Sequence, residues 1–216
     1  MVRKYEKREV THGNAWGAWA KIEVSELGAV TFGEPQVFTG LRATSFETTQ
    51  ESNPFYADNQ EHVRLSGAPT TEGSLTVYQF PKAFLTAHLG KKEATNGMLL
   101  DTGTFANFAW QHIETVTDEF GNEVEELHIW YNVKASAPTA DSATDEDTAE
   151  AKEFEIPLTA SPNNAVLDAD GKAVANAVIR KTEANKALFD LAYTQIILPD
   201  TAVPAVANLD ADGKGA

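Results

Sequence analysis

The two segments flanking Gly121-Asn122 constrain the fold of this 216-residue chain more than any other feature. In the second segment Leu127, Ile129, Tyr131 and Val133 place an apolar side chain at every second position, the spacing that puts a strand's side chains on one face. Phe105 to Phe120 and Glu123 to Lys134 are therefore expected to pair as an antiparallel hairpin turning at Gly121-Asn122. An isolated hairpin is marginal in water, so these strands need further strands or a helix to cover them.

Most of the remaining chain has the same character. Ile22 and Val24, then Gly28, then Val30 and Phe32 predict a second hairpin, ended by Gly33 and Pro35. Further strands are expected at Leu41 to Thr49, around Val63 and Leu65, around Leu75 and Val77, over Phe154 to Leu158, and over Tyr193 to Leu198 before Pro199. Two short helices interrupt them. Pro81 suits a first helical position, Phe84, Leu85, His88 and Leu89 follow at helical spacing, and Gly90 can stop the turn. Thr182 suits the cap of the second, which carries Leu188, Phe189 and Leu191. A strand-rich chain with one or two one-faced helices is mainly β or α+β.

Turn-forming Ser52, Asn53, Pro54 and Asp58 surround Phe55 and Tyr56, so Thr48 to Gln60 is expected as an exposed loop or arm. Residues 135–150 are polar and acidic with little to bury, and are expected as a mobile surface excursion. Residues 1–199 are expected to form one domain, with 200–216 as a flexible tail. Leu167 to Lys172 (LDADGK) recurs as Leu209 to Lys214; Gly comes too early for a calcium loop, and a pair of Asp-Gly turns is expected.

The absence of cysteine removes disulfides and thiolate metal sites, so a packed core must hold the fold. The basic start is not followed by an apolar segment, and no run nears the roughly 20 apolar residues that cross a bilayer. A net charge of −15 opposes binding to nucleic acid through phosphates. No phosphate-binding loop, dinucleotide fingerprint, nucleophile elbow or HExxH motif is present, and no enzyme activity is expected. His112 and His128 fall on facing arms of the main hairpin without a metal-ligand pattern, and no metal or cofactor is expected. Acidic clusters at Asp118-Glu119 and Glu123 to Glu126 flank turns rather than a cleft, unlike a glycosidase pair. Trp16, Trp19, Trp110 and Trp130 are read as core or interface; as an exposed platform they would instead suit a carbohydrate-binding β-sandwich of a phage or cell surface.

Ser52-Asn53-Pro54-Phe55-Tyr56-Ala57-Asp58-Asn59-Gln60 resembles a segment of the major tail proteins of siphophages of Gram-positive bacteria. The order of other features resembles that family too, over roughly residues 14–160. An early strand carries Trp16, Gly17 and Trp19; a Ser/Thr strand, the Asn-Pro segment, a strand from Gly73 to Phe80 and a helix ending at Leu89-Gly90 follow. Tyr131-Asn132-Val133-Lys134 with Pro138, an acidic excursion and the return strand Phe154-Glu155-Ile156-Pro157-Leu158 complete it.

The resemblance implies a tail-tube fold, a β-sandwich or partial barrel with a flanking helix. It implies subunits that form hexameric rings stacked into a tube, working with tape measure, tail tip or baseplate, and tail terminator proteins. The protein would be made and assembled in the host cytoplasm, reside in the virion tail, and let DNA pass without specific binding and without a membrane role. Asn53, Pro54, Phe55, Tyr56 and Asp58 would then contact a neighbouring subunit or ring. Ser45, Glu47 and Thr49 alternate on one strand and Ser74 and Thr76 on another; they are the candidates to line the lumen, with Phe46, Leu75 and Val77 facing the core.

Overall fold

The computed structural model of the protein describes residues 7–26, 29–138 and 151–204. In chain order, β1 (Glu9–Val24), β2 (Val30–Phe32), β3 (Gln36–Val37) and β4 (Leu41–Thr49) lead into β5 (Ser52–Ala57), β6 (Gln60–Ser66) and β7 (Thr70–Val77). Helix α1 (Lys82–His88) precedes β8 (Lys91–Glu93) and β9 (Leu99–Asp101). The long hairpin β10 (Phe108–Asp118) and β11 (Glu123–Ala135) follows, then β12 (Phe154–Ala160), β13 (Asn163–Leu167), β14 (Ala173–Val174), β15 (Asn176–Arg180) and helix α2 (Lys186–Leu191). The predicted turn at Gly28, most of the acidic excursion, the second LDADGK copy and the end of the tail lie outside the described residues.

One antiparallel sheet runs in the order β2-β1-β10-β11-β12-β7-β4, with β3 paired to β1 and β15 to β11. The sheet curls so that β4 returns beside β1, where Asn14 Nδ2 donates to Thr44 Oγ1 at 3.1 Å. No ladder joins these two strands, and the barrel stays open. In β1, register shifts between His12 and Asn14 and between Asn14 and Trp16 bend the strand there.

Alternation gives the sheet two cores. On the inner side of the curl, Trp19, Trp110 and Trp130 stand directly opposite one another across β1, β10 and β11. Each receives an aromatic ring from another element: Phe84 of α1 at 5.7 Å from Trp19, Phe38 at 6.0 Å from Trp110, and Phe46 of β4 stacked at 4.1 Å on Trp130. Leu75, Val77, Ile156 and Leu158 fill the space between. Phe46 reaches its position because Gly73 lies opposite it on β7; a Cβ there would come within 2.2 Å of the Ser45 carbonyl and 2.7 Å of the Phe46 ring.

The other face of β10 and β11 presents Ala109, Ile113, Leu127, Ile129 and Tyr131 to the second core, closed by Val166, Phe189, Ala192, Ile196 and Ile197. Here the expected strand Tyr193 to Leu198 is corrected. Thr194 and Gln195 donate back to the Leu191 carbonyl, extending the turn of α2. Side chains of the sheet take carbonyls that a ladder would need: Gln111 Nε2 donates to Ala192 O at 2.5 Å and the Tyr131 hydroxyl to Ile197 O at 2.9 Å. The segment is apolar because it is a lid.

Both helices are shorter than their signals and start differently. Pro81 is the residue before α1, in extended conformation with φ −58° and ψ 128°, and its carbonyl accepts from Phe84 and Leu85. Gly90 adopts φ +63° at the other end, which glycine does without strain. Asn185, not Thr182, precedes α2; Thr182 instead exchanges hydrogen bonds with Asn185 one turn earlier. The turn of the long hairpin is organised by the Asp118 carboxylate, which accepts from Phe120 N, Asn122 N and Asn122 Nδ2 and pairs with Lys7 at 2.9 Å. The first Asp-Gly repeat is a turn as expected, with Asp168 Oδ1 accepting from Asp170 N and Lys172 N.

His88 is buried among Trp19, Phe84 and Phe108, with Nδ1 at 3.1 Å from the Ala106 carbonyl. Burial pushes its imidazole down to about 4. The unfolded chain therefore binds up to one more proton than the folded one between pH 6.5 and about 4, and stability is lost as the pH falls through that window. Denaturant unfolding at a series of pH values should show up to about 3 kcal/mol lost below the window, and His88→Phe should remove this part of the slope. A slope unchanged by the substitution would place the acid sensitivity elsewhere.

Candidate assembly surfaces

The segment expected as an exposed loop or arm is a β-hairpin. β5 and β6 pair from Ser52↔Ser66 to Ala57↔Gln60, and the connection is Asp58-Asn59, both with positive φ at 51° and 61°. Two consecutive residues of positive φ make the two-residue turn whose twist matches that of paired strands, and Asp and Asn tolerate it. The same residues that marked a loop in the sequence thus build a projecting arm. Its root is tied by Gly67 N to Glu51 O and by Gln50 Nε2 to Gly67 O.

Every residue of β5 and β6 except Pro54 is exposed. Asn53 and Phe55 share a face with Leu65 and Val63, their register partners; Pro54 and Tyr56 lie on the other face, and Asp58 is in the turn. Phe55 is 52% exposed, Tyr56 69% and Leu65 57%. Val63 and Leu65 belong to the same apolar surface, on the strand expected around them. Arg64 closes a two-pronged ion pair with Glu61 at 2.9 Å, which keeps both charges within the arm.

The second surface is the outward face of β4, β7 and β12. Ser45 stands opposite Ser74, Glu47 opposite Glu72 and Thr49 opposite Thr70, while Thr76 lies between Ala43 and Glu155. Thr159 of β12 adjoins Glu72, and Lys134 of β11 follows at the far side. All five residues singled out in the sequence therefore share one face. Glu72, Glu155 and Thr159 join them and were missed; Glu155 was detectable, since it alternates with the buried Ile156 and Leu158. Behind this face Leu75 and Val77 are fully buried and Phe46 half-buried, as their alternation predicts. Placing Glu47 directly against Glu72 costs stability, because like charges on facing residues repel.

The other candidate sites separate clearly. Trp19, Trp110 and Trp130 are buried, and Trp16 is half-buried with its ring 5.0 Å from Tyr193. The tryptophans are core residues and leave no sugar-binding platform. His112 and His128 do meet, stacked at 5.0 Å, yet among the described residues no group of three or more His, Asp or Glu is arranged to hold a metal ion. No described helix is long and apolar enough to cross a membrane.

The sequence model of a family described as phage tail tube protein matches residues 1–205. This extends well past Ala160, where the resemblance seen in the sequence ended. No curated protein matches the chain.

Since Phe55 and Tyr56 bury little within the chain, replacing both with alanine should leave the thermal midpoint and the circular dichroism spectrum of the dilute protein almost unchanged, within about 0.5 kcal/mol. A large loss of stability would move both rings into the core.

Proposed function

This chain belongs to the phage tail tube protein family, and from that membership we propose that it forms hexameric rings that stack into the non-contractile tail tube of a siphophage of Gram-positive bacteria. Family membership makes it a structural component of the virion tail with a non-enzymatic role. The observation that carries the finer reading is the pair of unlike surfaces: an exposed apolar arm and a Ser/Thr/Glu face. A head-to-tail contact uses two different patches, closes into a ring when its rotation permits, and continues along an axis when rings stack.

In this reading the arm, through Asn53, Pro54, Phe55, Tyr56 and Asp58, docks on a neighbouring subunit or ring. Buried aromatics are common interface anchors. The free outer edge of β4 is a site for strand pairing, and closing the curled sheets of several subunits into one wall would remove such edges. Ser45, Glu47, Thr49, Ser74 and Thr76 line the lumen together with Glu72 and Glu155. Duplex DNA moving past carboxylates within about 8 Å, the Debye length at physiological salt, is repelled rather than held. Lysine or arginine in place of these carboxylates would make phosphate contacts that slow it; Lys134 stands at the far side of the face, beyond Thr159. Tape measure, tail tip and terminator proteins would set the length and the ends, and assembly would take place in the host cytoplasm.

Negative-stain microscopy of concentrated protein tests the assembly reading: rings or tubes are expected, and a monomer or closed dimer at all concentrations would overturn it. The Phe55→Ala/Tyr56→Ala protein should remain folded and fail to form tubes; normal tubes would remove the arm from the interface. Glu47→Lys should still assemble, while virions carrying it should eject DNA more slowly or incompletely. Locating Glu47 on the outer wall of an assembled ring would reverse the assignment of faces.

A further inference from the structure

Beneath the seam where β4 returns to β1 lies a cleft of about 320 Å³ lined by Thr44, Ser45, Phe46, His112, Glu114, His128 and Trp130. His112 and His128 are register partners on β10 and β11, and their rings stack at 5.0 Å with 14° between planes. Both Nε2 atoms point at one carboxylate, His112 at 3.4 Å from Glu114 Oε1 and His128 at 3.6 Å from Glu114 Oε2. Trp110 Nε1 donates to His112 Nδ1 at 3.1 Å. A ring nitrogen that accepts carries no proton, so neutral His112 bears its hydrogen on Nε2 and gives it to Glu114.

We propose that His112, His128 and Glu114 form an acid-sensitive latch that holds the edge strand β4, and with it the root of the arm, against the main hairpin at neutral pH. The cluster has one carboxylate for two imidazoles. A first proton is matched by Glu114; a second is not, and it can enter His112 only at Nδ1, where it would face the Trp110 N–H and break that bond. Two imidazolium rings 5.0 Å apart in this partly buried cleft repel and draw in water.

The surroundings offer little to absorb that charge. From β4 the cleft is lined by Thr44, Ser45 and Phe46, none of them titratable. β1 contributes Asn14 at the seam, and β15 places Val178 opposite His128. Glu126 on β11 also attracts a charged His128, but it is engaged by Arg180 at 3.1 Å. Burial and His112 together hold the His128 imidazole below its ordinary value against the pull of Glu114 and Glu126. The wall that yields is β4. β10 and β11 are joined by an unbroken ladder from Trp110 to Thr117, whereas β4, the edge strand beyond β7, has a ladder on one side only and meets β1 and the hairpin through side chains: Leu41 over Gly17, the Asn14–Thr44 hydrogen bond and the stack of Phe46 on Trp130. β4 passes into the arm through Gln50 and Glu51, so releasing it loosens the arm where it is rooted.

Amide hydrogen exchange of the dilute, unassembled protein at pH 7 and pH 5, corrected for the chemical rate at each pH, tests this. Peptides from β4 should lose at least about tenfold in protection on acidification, relative to peptides from β10 and β11. His128→Gln should hold β4 protection nearly constant over the same range. Equal loss in β4 and β10 in the wild-type protein would mean global acid unfolding, of the kind His88 produces, and would overturn the latch without recourse to a variant. Loss of β4 protection that persists in the His128→Gln protein would overturn it as well.

Discussion

Three tryptophans in register across β1, β10 and β11 are the contact on which the rest of this structure depends. Alone they would make a flat apolar stripe on one side of a sheet. Because each is met by a ring from a different part of the chain, the stripe becomes the axis about which the sheet curls: α1 comes to Trp19, the β3–β4 connection to Trp110, and β4 itself to Trp130. Aromatic pairs favour tilted and edge-on contacts, so these meetings fix direction as well as distance. The helix and the returning strands are oriented by the same three residues.

The opposite face of the same strands solves a different problem. Gln111 and Tyr131 point into the second core, and the Gln111 amide nitrogen and the Tyr131 hydroxyl each donate to a main-chain carbonyl of the segment after α2. Burial pushes the Tyr131 hydroxyl up to about 12, so it remains a donor at any pH the protein meets. Polar side chains on β10 and β11 thus do for residues 192–197 what a ladder would do for a strand. The result is a lid fastened at points, lying over the sheet without extending it.

Much of this was legible in the chain and some of it was not, for identifiable reasons. The main hairpin, β4, β7, β12 and the place of α1 follow from apolar period and from Gly121, Pro81 and Gly90, all local signals. Residues 193–198 also read as a strand before Pro199, but carbonyls of this segment are taken by side chains distant in sequence, which no local pattern reports. Thr48 to Gln60 read as an exposed loop or arm because Ser52, Asn53, Pro54 and Asp58 are turn formers; only Asp58, with Asn59, makes the turn, and Ser52, Asn53 and Pro54 lie in a strand whose apolar side chains stay unburied. Ser45, Glu47, Thr49, Ser74 and Thr76 could be assigned to faces from alternation alone. That β12 adds Glu155 and Thr159 to the same face depends on strand order, which is set by packing over long separations.

Because one layer of strands separates two unlike interiors, the chain has an uneven tolerance of length change. Moving β10 by a single position would exchange Trp110 for Gln111 and turn both faces inside out, since side chains alternate with period two. Two residues gained or lost in the arm would only shift its turn along a pair of exposed strands. Over descent, relatives of this chain should therefore keep the spacing between Trp110 and Trp130 nearly fixed while the distance from Thr49 to Thr70 drifts. The ruler in this protein is its tryptophans, and the part free to be refitted to a new neighbour is the arm.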